Sequence, residues 1–245
     1  MIDPILRATL PVQPAARGVV GCAARDVAFL RLEDEISGGV GFGECAPLAG
    51  LHRETRDEAL EAIEEWLDGV REIDALPPAA AFAVSCAVET SEELGRSSVA
   101  DAEVAAFVEG GAIDDAGLER LQGVRSVKLK IGRAGEAEDR ALVARVLEAL
   151  PGARLRLDGN RRMAFGDCVE LLRGFDPSRF EYLEEPVADP SELADLSRAT
   201  GIPVALDELV ADASPAARAL RAELARSGRV CAWVLRMSAI GRLDA

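Results

Sequence analysis

Charged side chains recur where short apolar segments of this sequence end, and their types suit acid–base and metal chemistry. In the segment VKLKIG, Lys128 and Lys130 are two residues apart, so both side chains point to the same side of a strand. Asp158 ends the segment RLRLD, Glu184 ends FEYLE, and Asp207 follows IPVAL. Two buried ammonium groups are costly unless opposite charges offset them. The pattern therefore predicts one polar site built from several strand ends.

The three carboxylates would repel one another if they converged without a cation. Oxygen-only ligands of this kind suit Mg²⁺, which keeps open positions for water or substrate. Glu185 and Glu208 follow two of these candidates, and we expect them to support the ligands from behind. His52 is the single histidine, which nearly excludes a multi-histidine metal site or a catalytic triad. A general base would therefore be a lysine or a carboxylate.

Composition narrows the classes of partner. The 245 residues include 28 Lys and Arg against 43 Asp and Glu, which gives a formal net charge of −15. Such a surface repels phosphate backbones, so nucleic acid is excluded as a partner. No run reaches the roughly 18 apolar residues of a membrane span, and the first residues lack the pattern of a secretory signal. We expect a cytoplasmic protein that acts on a small molecule; its oligomeric state stays open.

The chain divides into two parts with different sequence patterns. Residues 1–95 combine a strand, a glycine-rich turn and a second strand with two helices, which predicts a small α+β domain. Residues 96–245 alternate six short apolar strands with helices, which predicts an α/β fold with parallel pairing. A doubly wound sheet is one solution, but no GxGxxG motif follows the first strand, so a barrel is favoured. In a barrel, active sites lie at the carboxyl ends of the strands, where the charged motifs occur.

The ordered motifs KLK, LDGN, LEEP and LDE, with GFGECAPLAG and AVSCAVE upstream, resemble the enolase superfamily. The resemblance is closest to the o-succinylbenzoate synthases of menaquinone biosynthesis. It implies an N-terminal α+β capping domain followed by an enolase-type (β/α) TIM-like barrel. The site residues that it implies are the acid–base residue Lys130 with Lys128 tuning it, the Mg²⁺ ligands Asp158, Glu184 and Asp207, and the substrate contacts Arg156 and Gly50, the latter in a loop from Gly43 to His52 that would close over the substrate.

The resemblance also implies a reaction. A Mg²⁺-dependent lyase of this kind, a dehydratase, converts 2-succinyl-6-hydroxy-2,4-cyclohexadiene-1-carboxylate to 2-succinylbenzoate. Two alternatives stay open. One is another muconate-cycloisomerase-like member of the superfamily, either a cycloisomerase, an N-acylamino acid racemase or a dipeptide epimerase. The other is a catalytically inactive, truncated paralogue.

Two features depart from the resembled family. Its second lysine lies on the sixth strand in a pattern near V-x-K-P-S, whereas this chain has VLRMS, with Arg236 at that position. We expect Arg236 to act as a catalytic residue whose positive charge lies against the reaction intermediate. Because a guanidinium does not deprotonate, Arg236 favours a dehydratase with one base over a racemase that needs a base on each face. The family continues through two more strands, whereas this sequence ends at Ala245, so the barrel is expected to be incomplete. A fragment, a barrel completed by a partner and a decaying paralogue are all compatible with this pattern.

Overall fold

The computed structural model describes residues 4–11, 24–33, 38–93, 104–108 and 113–242. These residues form two compact units, one within residues 1–100 and 236–245 and the other within residues 101–235. The boundary predicted after residue 95 falls outside the described ranges and stays a prediction. Residues 236–242, which we expected in the barrel domain, belong to the first unit. None of the helices in the described ranges has the length and apolarity needed to span a bilayer.

The first unit contains a three-stranded antiparallel sheet in the order β1-β2-β3. Its elements are β1 (Ile5–Pro11), β2 (Ala24–Glu33), β3 (Val40–Cys45), α1 (Arg56–Leu67), a 3₁₀ turn (Ile73–Ala75) and α2 (Pro78–Glu93). Helix α1 begins with a capping box, in which Thr55 and Glu58 satisfy each other's backbone N–H groups, as is typical of a Thr-x-x-Glu start.

Strand β3 lies unusually close to helix α2. A Cβ atom at Gly43 would lie 1.8 Å from the carbonyl oxygen of Ala83, so only glycine permits this approach. The helix contributes a face of small side chains that are fully buried, including Ala79, Ala83 and Ala87. Gly43 is therefore held inside a packed strand, and the prediction that it begins a closing loop is wrong.

The second unit contains six parallel strands in sequential order, which confirms the predicted α/β sheet. The strands are β4 (Ala106–Val108), β5 (Ser126–Lys130), β6 (Arg154–Asp158), β7 (Phe180–Glu184), β8 (Val204–Leu206) and β9 (Val230–Trp233). The helices between them are α3 (Asp115–Arg120), α4 (Glu136–Ala149), α5 (Phe165–Leu172), α6 (Leu193–Thr200), α7 (Glu208–Ala211) and α8 (Pro215–Arg226). Among the described strands β4 and β9 form the two edges, so the barrel is incomplete.

Side chains alternate between the two faces of this sheet. One face carries Leu129, Leu157 and Leu183, which are fully buried and belong to the same hydrophobic core as the apolar sides of the helices. The opposite face carries the charged residues of the sequence motifs. Because successive side chains in a strand point to opposite faces, the apolar positions that bind the helices also determine which residues face the site.

A last short helix, α9 (Met237–Ile240), packs against α2 of the first unit.

Candidate active site

The strand register brings the motif residues side by side on adjacent strands. Lys130 pairs with Asp158, and Asp158 pairs with Glu184, on three adjacent parallel strands. One row below, Lys128 pairs with Arg156, which pairs with Tyr182. In-register positions of neighbouring parallel strands share a face, so both rows point the same way. The register thus supplies the convergence that the sequence spacing predicted.

Both lysines form ion pairs with buried carboxylates. Lys130 Nζ lies 2.6 Å from Asp158 Oδ2, and Lys128 Nζ lies 2.8 Å from the same oxygen. Lys128 Nζ also donates to both oxygens of Glu184, at 2.8 and 2.6 Å. Asp158 and Glu184 are each 1% exposed. The carboxylates therefore offset the cost of burying the ammonium groups, as expected for charges in a protein interior.

The charges of this cluster do not balance. Burial and then the negative charge of Asp158 raise the pKa of Glu184, the bonds from Lys128 oppose this change, and Asp207 adds to it, so that the pKa reaches about 8. Burial likewise acts to raise the pKa of Asp158, but the bonds from Lys128 and Lys130 outweigh it and lower that pKa below its ordinary value. The two ammonium groups contact Asp158 and Glu184, and the nearby charges of Asp158 and Asp207 favour the protonated form of Glu184.

Lys128 is the counter-ion that connects the two carboxylates. Burial acts to lower its pKa, but the bonds to Asp158 and then to Glu184 prevail and raise the pKa above its ordinary value. Its ammonium group is therefore a stable positive charge on the face that carries Lys130.

The donor set fits a hard divalent cation. Asp158 and Glu184 end two consecutive strands, Asp207 directly follows the next strand, and all three offer only oxygen atoms, which Mg²⁺ prefers. The negative charges of Asp158 and Asp207 act to raise the pKa of Glu184, so a cation bound near these carboxylates would favour its ionised form. Across the described ranges, however, no three His, Cys, Asp or Glu side chains are already arranged to hold a metal ion. The lysines draw two of the carboxylates toward themselves, so a bound cation would share these oxygens with the ammonium groups.

Asn160 and Glu208 extend the cluster. Lys130 Nζ donates to Asn160 Oδ1 at 2.5 Å, while Asn160 Nδ2 donates to Glu208 Oε1 at 2.9 Å. Asn160 has a φ of +45°, in the left-handed region that asparagine tolerates better than most residues. The Gly-Asn pair of the LDGN segment is a sequence pattern compatible with this left-handed turn. The sequence nevertheless predicts no role for Asn160. Its amide connects the ammonium group of Lys130 to the helix that follows Asp207.

Glu185 and Arg161 form a second link behind the carboxylates. Glu185 is 1% exposed; its Oε1 accepts the backbone N–H groups of Asp207 and Leu209, at 2.8 and 2.9 Å. Its Oε2 accepts from Arg161 Nε at 2.5 Å. Burial raises the pKa of Glu185, and these donors oppose that change. Glu185 therefore binds the backbone of Asp207, and the sequence predicts such a supporting position for Glu185. The contact of Arg161 with Glu185 is not among the sequence-based predictions.

Three predicted residues lie apart from the ion-pair cluster. Arg156 is one row below it, donates to Glu181 Oε2 at 2.5 Å and lies 5.4 Å from the ring centre of Tyr182. Gly50 belongs to the first unit, where its φ is +85°. Arg236 was predicted on the sixth strand, but β9 ends at Trp233 and Arg236 directly precedes α9 in the first unit. The strand ends there because the chain turns into a helix that packs on α2.

A further signal lies in the composition. Lys128 and Lys130 are the only lysines among the 245 residues, and every other side chain of permanent positive charge is an arginine. Both lysines of the sequence therefore lie in this one cluster, where both contact Asp158.

Two sequence families match separate parts of the chain. The family described as MenC, N-terminal domain, matches residues 21–91, and the family described as enolase C-terminal domain-like matches residues 111–230. The o-succinylbenzoate synthase of Yersinia pseudotuberculosis serotype O:3 (strain YPIII) is 36% identical over 200 residues, or 78% of this chain. The chain belongs to the enolase superfamily. This enolase-superfamily chain spans 60% of the length of that curated relative.

Solved structures agree with this assignment. The o-succinylbenzoate synthase of Thermosynechococcus elongatus BP-1, complexed with magnesium in its active site, has a TM-score of 0.73 and 27% identity, over 98% of this chain and 77% of the other. A dipeptide epimerase from Enterococcus faecalis V583 has a TM-score of 0.74 and 22% identity, over 98% of this chain and 74% of the other. The second similarity shows a shared fold only. The sequence resemblance to the enolase superfamily is confirmed.

Proposed function

We propose that this enolase-superfamily chain acts as an o-succinylbenzoate synthase-like, Mg²⁺-dependent dehydratase. The observation that carries the proposal is the cluster in which Lys130 contacts Asp158 while Lys128 joins Asp158 to Glu184. A lysine beside carboxylates that can hold a cation suits proton abstraction next to a substrate carboxylate, because the cation stabilises the negative charge that develops there. The 36% identical synthase from Yersinia pseudotuberculosis supports this choice of reaction.

Asp158, Glu184 and Asp207 are the residues that would hold Mg²⁺. When bound, the ion supplies Lewis-acid stabilisation of the negative charge that develops on a substrate carboxylate. The carboxylates themselves fix where a cation binds, because their strands are paired in register at Asp158 and Glu184.

Lys130 is the proposed acid–base residue. As a neutral amine, it takes the proton from the ring carbon next to the substrate carboxylate, so that the C–H bond breaks and its electron pair stays with the substrate. The ammonium form then gives a proton to the departing hydroxyl group, which leaves as water when the C–O bond breaks. The ring becomes aromatic, which supplies much of the driving force. Asn160 accepts from Lys130 Nζ and orients it for both transfers.

Lys128 and Arg156 supply positive charge on the same face of the sheet. Lys128 stays protonated because Asp158 and Glu184 raise its pKa, so it offsets the charge that builds on the substrate carboxylate. The guanidinium of Arg156, one row below, is matched to a second carboxylate such as that of a succinyl group. We propose it as a substrate contact, together with Gly50 of the first unit.

A single proton-transferring lysine favours dehydration over epimerisation. Exchange of a proton between two faces needs a base on each face, and residues 1–245 contain no lysine besides Lys128 and Lys130. Arg236 stands where the resembled family carries its second lysine, and its guanidinium keeps its proton. Dehydration with loss of proton and hydroxyl from the same face requires Lys130 alone.

A steady-state ultraviolet assay tests the proposal. The purified 245-residue chain is mixed with 2-succinyl-6-hydroxy-2,4-cyclohexadiene-1-carboxylate, and aromatic product is followed with Mg²⁺ or with EDTA. We expect turnover that EDTA abolishes and Mg²⁺ restores. Absence of Mg²⁺-dependent turnover contradicts the proposal. Incorporation of solvent deuterium into a dipeptide substrate, with no dehydration of the ring substrate, favours the epimerase alternative instead.

A further inference from the structure

Asp207 is held differently from the other two carboxylates of the site. Asp158 and Glu184 lie within the ladder of hydrogen-bonded strands, where they pair with each other. The ladder between β7 and β8 ends earlier, with Glu184 paired to Ala205, and β8 itself ends at Leu206. Asp207 therefore lies beyond the last paired position, and strand pairing does not fix its height.

The side chain of Glu185 takes the place of the missing ladder bonds. Its Oε1 accepts the N–H of Asp207 at 2.8 Å and the N–H of Leu209 at 2.9 Å. These N–H groups belong to the start of α7, whose first donors have no partner inside the helix. A buried carboxylate that binds two of them satisfies these donors and anchors the backbone on which Asp207 stands.

Arg161 holds Glu185 in that orientation. Its Nε donates to Glu185 Oε2 at 2.5 Å, and its backbone N–H donates to the carbonyl oxygen of Glu185 at 2.7 Å. Both residues adopt left-handed backbone conformations, with φ of +57° for Arg161 and +31° for Glu185. The loops continue side by side, since the Met163 N–H donates to the Pro186 carbonyl oxygen at 3.0 Å. The loops after β6 and β7 are thus joined, and together they present one carboxylate to the loop after β8.

We propose that Glu185, oriented by Arg161, is a positioning residue that sets Asp207 beside Asp158 and Glu184 for divalent cation binding. This role rests on the proposed function, because it assumes that the three carboxylates hold Mg²⁺. Glu185 acts through the backbone of Asp207. Its own carboxylate oxygens accept from N–H groups, so in this role they do not ligate the cation. Its loss should weaken cation binding while the sheet, whose core lies on the other face, stays folded.

Two measurements on the full 245-residue chain test this role. NMR hydrogen exchange reports the protection of the Asp207 and Leu209 amides, and calorimetry with Mg²⁺ alone reports the dissociation constant. Glu185→Ala removes the acceptor, Glu185→Gln keeps one acceptor oxygen, and Glu148→Ala is a matched control on the exposed face of α4. For Glu185→Ala we expect exchange of the two amides to accelerate at least about tenfold. Mg²⁺ affinity should fall by about 10- to 100-fold, as is typical when a partner of a metal ligand is lost.

Glu185→Gln should recover part of both effects, and Glu148→Ala should match the wild type. If Glu185→Ala does not fold, Arg161→Gln provides the same test, because it leaves Glu185 in place without its orienting donor. Unchanged amide exchange in either folded variant overturns the inference. So does unchanged Mg²⁺ affinity with a wild type that binds the ion. A wild type that binds no Mg²⁺ overturns both the metal site and the cation-positioning role. A wild type that binds Mg²⁺, together with variants that bind it more weakly, supports the metal site and the positioning role.

Discussion

Lys130 Nζ and Asp158 Oδ2 lie 2.6 Å apart, at positions that are paired across two adjacent parallel strands. The proposed base and the first proposed cation ligand are therefore positioned by the same backbone hydrogen bonds. A shift of either strand by one residue would turn one of the two side chains to the opposite face. The apolar residues that alternate with them, such as Leu129 and Leu157, prevent such a shift because they are fully buried on the other face.

Replacing the proposed base should greatly slow turnover without unfolding the chain. For Lys130→Gln we expect kcat to fall by about 10²- to 10⁴-fold, because general acid–base catalysis supplies that much of the rate. Steady-state kinetics with saturating Mg²⁺ measures the change. Arg120→Gln, which removes a positive charge from the exposed end of α3, is the control and should retain wild-type kcat. A Lys130→Gln protein with wild-type kcat would exclude Lys130 as the base.

The stability of the metal-free chain should decline as the pH rises above about 5. Burial, with the charges of Asp158 and Asp207, raises the pKa of Glu184 to about 8, so the folded chain keeps a proton that the unfolded chain loses near its ordinary value of 4.5. The contribution of the protonated Glu184 side chain to the free energy of unfolding is fully present below pH 4.5 and is lost as the pH passes through about 8. The free energy of unfolding should fall by up to about 1.4 kcal/mol per pH unit in this range.

Urea unfolding in EDTA between about pH 5.5 and pH 8.5 measures this dependence, and that range lies above the titration of Asp158, whose pKa is lowered. Glu184→Gln, which cannot ionise, should flatten the profile. Saturating Mg²⁺ should flatten it as well, because a bound cation favours the ionised carboxylate. A stability that is constant or rises with pH in the metal-free wild type would contradict the assigned charge state.

Asp158 should be the most costly of the cluster to neutralise, because both lysines depend on it. Asp158→Asn leaves Lys128 with Glu184 alone and removes the carboxylate that Lys130 contacts. Breaking a buried ion pair by removing one partner costs on the order of 3 kcal/mol. Urea unfolding at pH 7 measures the loss, with Asp167→Asn at an exposed position of α5 as the control. A loss no larger than that of the control would show that the ion pairs contribute little to folding.

The close approach of β3 and α2 should make Gly43 intolerant of a side chain. A Cβ in Gly43→Ala would overlap the carbonyl oxygen of Ala83, so strand and helix must separate. We expect a loss of at least about 3 kcal/mol, at or above the upper end of the usual cost of overpacking a core. Thermal unfolding followed by circular dichroism measures it. Gly152→Ala adds the same atom into open space and should stay near the wild-type midpoint; equal midpoints for both variants would refute this packing.

The sequence contained enough information for the parts of the fold and site that follow local rules. The Thr55–Glu58 capping box depends on a spacing of three residues, and the common face of Lys128 and Lys130 depends on the two-residue period of a strand. The six parallel strands follow from their alternation with helices. These features depend on neighbours in the chain, so a single sequence shows them.

Other features depend on contacts between distant segments. The close packing of Gly43 depends on a helix about forty residues later, so the glycine-rich sequence alone did not show that Gly43 lies inside a packed strand. Arg236 was expected on a strand, but α9 packs on α2, a contact that no local pattern signals. The Glu185–Arg161 link requires left-handed conformations at two residue types that rarely adopt them, and sequence propensity disfavours such conformations.

Two lysines and three carboxylates are proposed to form one site that takes up a divalent cation. Because Lys128 and Lys130 are the only lysines, lysine labelled with ¹³C at the ε position gives two NMR signals from this chain. On titration with Mg²⁺ both signals should shift together and saturate at one equivalent, as the ion takes a share of the oxygens that the ammonium groups contact. Asp158→Asn should strongly weaken the response. Two lysine signals that do not move at millimolar Mg²⁺ would contradict the claim.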